Sequence, residues 1–486
     1  MIKKLKELSK DTAIYGISTI VGRFLGFLLV PFYTNVLSTA EFGIYSYIYA
    51  FLGFFNVIYI YGMDAAFMKY HSLAEEPEKK ETFSTPFLFV LFTSLILSAV
   101  FYLFTPQIGS MLSVQDEYKH LIYYFSLILL FDAIVLIPFA NLRLQRKARK
   151  FAAIKIVNII LNLGLNFILI IYYRLGVEAI FISNLAASAV TFIILIPDII
   201  TNLNFNIVAK KLKIMLKFAL PYLPASFAAM MVQVIDVPIV RYLTDDSTLG
   251  IYRANYKLGI FMMLIVSMFQ YAWQPFFLTN AKEKDAKELF SKVLTLFVVA
   301  ASLLWVVLSL FIDDIASFEF MPGRSLIGKE FLSGVHIVPI ILLGYLFFGM
   351  YINFQAGLYI EEKTKYFPLI TGLGAASNVI VNFLLIPVLG IYGAAIATLI
   401  SYLVMAAGLF IVAQRFYKIE YEYPKIIKTL VLIVITGYTY YYLYLLGNLL
   451  FLYKILLLIF FILSLFGLNI IQKGEIRKTL NIILKK

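Results

Sequence analysis

The residues of this chain that could do chemistry are charged side chains set inside apolar runs. Arg23 lies near the middle of "TIVGRFLGFLLVPFY" (19–33), and Arg253 and Lys257 lie four apart in "GIYRANYKLGIFMMLIV" (250–266). Asp236 interrupts "MMVQVIDVPIV" (230–240), and Asp132 and Lys155 interrupt two further runs. On a 3.6-residue period the face through Arg23 carries Gly16, Thr19, Gly26 and Val30, which are smaller than the usual lipid-facing stripe. Small residues at that spacing also serve plain helix packing. Packing does not call for an arginine at mid-depth, where a charge costs about 2.5–3.5 kcal/mol on insertion scales. Arg23 is therefore read as a cavity cation, with a structural ion pair as the alternative. Arg253 and Lys257 share one helix face and repel each other unless an anion or an acid is bound. They are read as part of an anion-binding cavity; the alternative is structural pairing, with Asp236 neutralising one of them.

A second polar group lies further along the chain. Lys155, Asn158, Asn162 and Asn166 fall on one helical face, and Asn378 and Asn382 repeat the last two. Asparagine stripes of this kind act as hydrogen-bonding glue between helices. Asp132, one span earlier, is the expected partner of Lys155, either as a static salt bridge or as a protonatable relay in a coupled transporter. Arg241 and the hairpin "TDDST" (244–248) read as solvated loop.

The elements that position these residues follow from composition. Of 486 residues 62% are hydrophobic, 17% aromatic and only 14% charged, far more apolar than a soluble domain. Runs of about 20 apolar residues recur along the whole length, each long enough to cross a bilayer as a helix. Fourteen spans are expected, at about 12–33, 42–64, 84–105, 120–141, 151–172, 177–198, 217–240, 249–272, 291–312, 335–358, 367–387, 391–413, 424–446 and 450–471. The fold class is an all-α polytopic membrane protein. The first run is too long for a cleavable signal and lacks a small-residue cleavage pattern. The net charge of +13 gathers in the segments that face one side. That asymmetry is the positive-inside signature and predicts cytoplasmic termini and attraction to anionic membrane lipid, not nucleic acid. With no cysteine, and three histidines lacking ligand spacing, no metal site is expected.

The chain also repeats itself. "VPFYTNVLSTAEFGIYSY" (30–47) aligns without gaps with "VPIVRYLTDDSTLGIYRA" (237–254), and "KARKFAAIKIVNIILNLGLNF" (147–167) with "KTKYFPLITGLGAASNVIVNF" (363–383). Six spans lie in each copy. Six is even, so the copies are parallel, and a substrate site between them is the expectation for a transporter. Three parts result: 1–205 with spans 1–6, 206–418 with spans 7–12, and 419–486 with spans 13–14 and a basic tail. Met230 stands at the place equivalent to Arg23, and Thr371 at that of Lys155. The loops are too short to hold a catalytic domain, so an enzyme such as a glycosyltransferase or polymerase is disfavoured.

Arg23 followed by "GF", "PFYTNVLSTAEFGIY" (31–45), the basic loop between spans 4 and 5, the fourteen spans and the six-plus-six repeat resemble the Wzx-type polysaccharide flippases. These belong to the multidrug/oligosaccharidyl-lipid/polysaccharide (MOP) exporter superfamily. The resemblance implies a V-shaped pair of six-helix lobes plus two C-terminal helices, rocking between inward-open and outward-open states. It implies a polyprenyl-pyrophosphate-linked oligosaccharide as substrate, moved across the cytoplasmic membrane for surface polysaccharide biosynthesis. Cations in spans 1, 2, 7 and 8 would hold the pyrophosphate. Arg23, Arg253 and Lys257 match that placement, while span 2 departs from it by having no mid-membrane cation. No cofactor is implied beyond a coupling ion, H+ or Na+; glycosyltransferases or a polymerase of the same pathway are the implied partners. The neighbouring readings are a cation-coupled multidrug antiporter of the MATE type, which would favour acids in its cavity, and a lipid II flippase.

Overall fold

The computed structural model describes residues 24, 26–447 and 450–471. They are almost wholly helical. The exception is a small antiparallel hairpin, β1 (Glu319–Met321) and β2 (Arg324–Ser325), turned at Gly323, whose φ of +75° suits glycine. The chain divides into two compact units, one ending at Gly250 and the other beginning at Ile251.

The first unit holds α1 (26–34), α2 (Thr39–Ile60), α3 (Met63–Ser72), α4 (Glu76–Leu103), α5 (Thr105–Met111), α6 (Leu121–Ile134) and α7 (Leu136–Leu144). It continues with α8 (Ala148–Phe167), α9 (Gly176–Asn202), α10 (Ala209–Ala219), α11 (Tyr222–Val234), α12 (Asp236–Leu243) and the start of α13 (Asp246–Tyr256). A capping box starts α2, in which Ser38 and Glu41 satisfy each other's backbone amides. α4 packs on α6, α8 on α9, and α11 on α2 around a core that includes Phe42, Phe67, Phe83, Phe125 and Phe181. The sequence repeat starts its second copy near residue 206, so this packing unit takes in the first span of that copy.

The second unit contains α14 (Ile260–Asn280), α15 (Ala286–Leu310), α16 (Ile312–Ser317), α17 (Val338–Ile360), α18 (Tyr366–Leu389), α19 (Ile391–Phe416), α20 (Tyr423–Leu445) and α21 (Phe451–Gly467). α19 packs on both α17 and α18. The indole N–H of Trp273 donates to Asn353 O at 3.2 Å and that of Trp305 to Pro339 O at 2.8 Å, pinning α14 and α15 to α17. The last two helices lie outside the repeat but not outside the unit: both pack on α15, Tyr440 donates to Asp313, and the buried Lys454 pairs with Asp314.

Among the described residues, eleven helical stretches are long and apolar enough to cross a membrane, and the α10–α11 pair, bent by 41°, is a twelfth candidate. They fall on expected spans 2 to 13. Expected span 1 lies mostly outside the described residues. α21 falls on expected span 14 but, at 17 residues, reaches only about 25 Å. Span 2 runs on to Ser72 through a break at Tyr61 and Gly62, both left-handed. Span 8 holds a 3-10 turn at Lys257–Gly259.

Inside the first unit the starts of α2 and α13 cross in backbone contact. A Cβ on Gly43 would lie 1.8 Å from the carbonyl oxygen of Asp246, and one on Gly250 would lie 1.9 Å from that of Thr39. Each would sit 3.1 Å from the other glycine's amide nitrogen. Thr39 donates to Ser247 across the crossing at 3.1 Å. Only residues without a side chain permit this approach. Gly43→Ala or Gly250→Ala is therefore expected to cost about 1–3 kcal/mol or more, read as a lower midpoint in thermal unfolding of the detergent-solubilised protein. Gly372→Ala, whose Cβ meets nothing within 4 Å, should leave the midpoint unchanged or slightly raised.

Candidate functional site

The polar row expected in span 5 lies along α8 and is bonded mainly within the first unit. Asn158 donates to Thr191 of α9 at 2.9 Å. Asn166, fully buried, donates to the carbonyl of Asn162 at 2.8 Å and to its side-chain oxygen at 3.0 Å, and accepts from the Tyr33 hydroxyl at 2.9 Å. Around them Asn184 donates to the Tyr49 hydroxyl at 2.8 Å, Tyr49 lies 4.6 Å from Tyr45, and Tyr45 stands edge-on to Tyr33 at 5.7 Å. Four elements, α1, α2, α8 and α9, thus share one tyrosine-lined polar interior.

Asp132 and Lys155 make no direct ion pair, though their charges act on one another. Asp132 accepts from Ser188 of α9 at 2.8 Å, while the Lys155 ammonium rests over the Phe139 ring at 4.5 Å. Helix α6 ends at Ile134, and Phe139 lies on the following α7.

In the second unit, Asn382 donates to the carbonyl of Asn378 at 2.8 Å and to its side-chain oxygen at 2.7 Å. This is the bonding of Asn166 to Asn162, repeated. One element differs: at the 207-residue offset Tyr33 corresponds to Val240, which has no hydroxyl. The Asn382 side-chain oxygen and the Asn378 amide nitrogen, both buried, have no hydrogen-bond partner among the described residues. Such a pair can take a hydrogen-bonding or cationic guest, whereas its first-unit counterpart is capped by tyrosine.

Arg253 and Lys257 both lie in the span that runs from α13 through the 3-10 turn into α14. Both are half-buried, and their like charges act on one another. The Arg253 guanidinium lies 5.0 Å from the Tyr256 ring centre. Asp236, buried at the first turn of α12, belongs to the first unit. Arg23 lies outside the described residues. Among the described residues no cluster of His, Asp and Glu could hold a metal ion.

Arg241 was read from sequence as solvated loop, and the structure corrects that. Its guanidinium pairs with Asp246 at 2.5 Å with both side chains only 12% exposed, and lies 4.0 Å from the Tyr47 ring centre. Gln115 donates to the same aspartate at 2.9 Å, and Tyr47 donates to Leu112 O at 2.7 Å. The available signal was the spacing: Arg241 and Asp246 flank a turn of four residues beside the repeated Gly-Ile-Tyr.

With this geometry in view, comparison with known proteins gives a family. The model of the family described as "Polysaccharide biosynthesis protein" matches residues 8–281, more than half of the chain. The chain belongs to that family. No curated protein matches it. Among solved structures, this chain is similar to the lipid II flippase MurJ in an inward closed conformation, with a TM-score of 0.72 and 18% identity over 95% of this chain and 100% of that one. It is also similar to an inward-facing multidrug resistance MATE family transporter of the MOP superfamily, at TM-score 0.66 and 14% identity over 81% and 94% of the two chains. A third likeness is to a MOP superfamily transporter from Pyrococcus furiosus whose reverse-polarity binding pocket suggests a different function, at TM-score 0.57 and 14% identity over 84% and 95%. The fold is that of MOP superfamily transporters.

Because Asp132 and Lys155 hold different direct partners and act on one another only through space, Asp132→Asn and Lys155→Gln should show a modest double-mutant coupling of about 0.5–1 kcal/mol on unfolding. A salt bridge would give more. Tyr33→Phe, which removes the donor to Asn166, should cost about 1 kcal/mol in the same assay.

Proposed function

We propose that this chain is a flippase that carries a polyprenyl-pyrophosphate-linked oligosaccharide across the cytoplasmic membrane for surface polysaccharide assembly, by alternating access and with no catalytic step. The observation that carries this reading is the pair of half-buried cations, Arg253 and Lys257, on one span of a chain with this family and fold. A pyrophosphate cannot cross about 30 Å of hydrocarbon unaided, because each charge there loses its hydration. Fixed ammonium and guanidinium groups replace part of that hydration with charge-assisted hydrogen bonds. Arg23 would add a mid-membrane contact from the first copy, and Asp236 would balance charge. The cations cannot favour one state too strongly, since any difference in affinity between inward and outward forms shifts the population toward the tighter one.

Both termini would be cytoplasmic, and the enzymes that build and polymerise the repeat unit would be the partners. The likeness to a lipid II flippase over almost the whole chain favours a second cargo, lipid II, which presents the same pyrophosphate. A cation-coupled antiporter fits less well, because the charged pair on the α13–α14 span is cationic.

Arg23→Ala and Arg253→Ala should each insert at normal abundance and abolish surface glycan, measured by glycan staining of cells lacking the native gene. Lysine at either position should restore part of the export, because it keeps the charge and loses the planar fork. Normal export by both alanine variants at native abundance would falsify the cationic-cavity reading.

A further inference from the structure

The segment between α9 and α11 carries charge that neither the fold nor the proposed transport uses. One side of α10 is fixed to the first unit. The amides of Asn204 and Val208, which lead into it, donate to Ser84 at 2.6 Å and to Thr85 at 3.2 Å, both fully buried on α4. Lys211 donates to Glu81 at 2.7 Å and to Glu78 at 3.1 Å. Phe218 stands edge-on to Tyr70, with the Lys69 ammonium 4.1 Å from its ring centre, and Met215 and Ala219 are buried beneath.

The opposite side carries Lys210, Lys213 and Lys217, three and four residues apart and so on one face. All three are exposed, and none has a carboxylate within ion-pair distance among the described residues; Lys211 takes the acids on α4 nearest to the helix. Ile214 lies among them at 44% exposure, and Phe205, Ile207 and Leu220 flank the helix at 86%, 48% and 49%. Water alone suits the lysines and not Phe205; hydrocarbon alone suits Phe205 and not the lysines. A bilayer interface suits both, with the apolar groups at the acyl boundary and the ammoniums among headgroup phosphates.

We propose that α10 is a recognition surface for anionic phospholipid headgroups of the bilayer that holds the chain, with Lys210, Lys213 and Lys217 as its contacts. The argument is charge complementarity: three unpaired cations with an apolar flank, on a helix whose other side is already bonded. Each lysine near such a surface contributes roughly fivefold to preference for anionic lipid, and three together roughly a hundredfold.

The chain has no cysteine, so Ile214→Cys provides a single thiol for an environment-sensitive fluorophore. The full-length protein is placed in nanodiscs of phosphatidylcholine with increasing phosphatidylglycerol. The expected result is a saturable blue shift with phosphatidylglycerol that high salt removes, because screening shortens the reach of each charge. K210Q/K213Q/K217Q should abolish the shift with an unchanged thermal midpoint, and the matching triple arginine variant should keep it. Equal emission at every lipid composition, or a phosphatidylglycerol-dependent shift that survives the triple glutamine change, overturns the proposal. So does a shift that is indifferent to phosphatidylglycerol and needs added cytosolic protein, which would make the occupant an acidic protein segment. None of these outcomes depends on what the chain transports.

Discussion

Two glycines 207 residues apart let two helix starts touch through their backbones. Gly43 meets the carbonyl of Asp246 and Gly250 meets that of Thr39, and these partners are themselves equivalent under the same offset. The crossing is thus self-complementary, as a two-fold interface is, and such a contact needs the same residue in both copies. This explains why the glycine recurs at the same place in the repeat. The crossing also brings Asp246 beside Arg241 and Gln115, so a buried charge pair closes the same end. Breaking such a pair by removing one partner leaves a charge in low dielectric, at a cost of about 3–5 kcal/mol.

Elsewhere the copies diverge, and the divergence is polar. Arg23 corresponds to Met230, whose methyl group would lie 1.8 Å from a Cβ on Gly53, so Met230 is packed against α2. Tyr33 corresponds to Val240, and Lys155 to Thr371. A scaffold shared by two copies therefore carries interiors of different chemistry. In the first unit the asparagine pair is capped by a tyrosine hydroxyl; in the second the same pair keeps an amide oxygen and an amide N–H without a partner among the described residues. An unsatisfied buried amide costs about 1–3 kcal/mol.

The helices were legible in the sequence because bilayer thickness fixes their length and apolarity, both properties of single segments. The repeat was legible for the same reason, since it compares strings. What escaped depends on side-chain reach between segments. Asp132 and Lys155 lie on consecutive spans, and that adjacency suggested a pair; Asp132 instead bonds Ser188 and Lys155 lies over Phe139. Arg241 looked like loop because it sits in a polar hairpin, and burial of a hairpin is set by what crosses over it. The break at Tyr61 and Gly62 escaped too, because the apolar run gives way to Asp64 and Lys69 just beyond it, and the span reads as ending there.

The charges in this chain thus fall into two kinds with different physical demands. Arg241 and Lys454 are largely buried and each holds an aspartate, which fixes geometry; such a pair gains by being permanent. Arg253 and Lys257 are half-buried, carry like charge and act on one another, an arrangement that no helix needs for its own stability. In the proposed transport, an anion entering between two cations on one span would gain from both at once and lose that gain on leaving, which is the reversibility a carrier requires of its site. A structural pair is selected to hold its partner, while a transport site works only if its partner is exchanged.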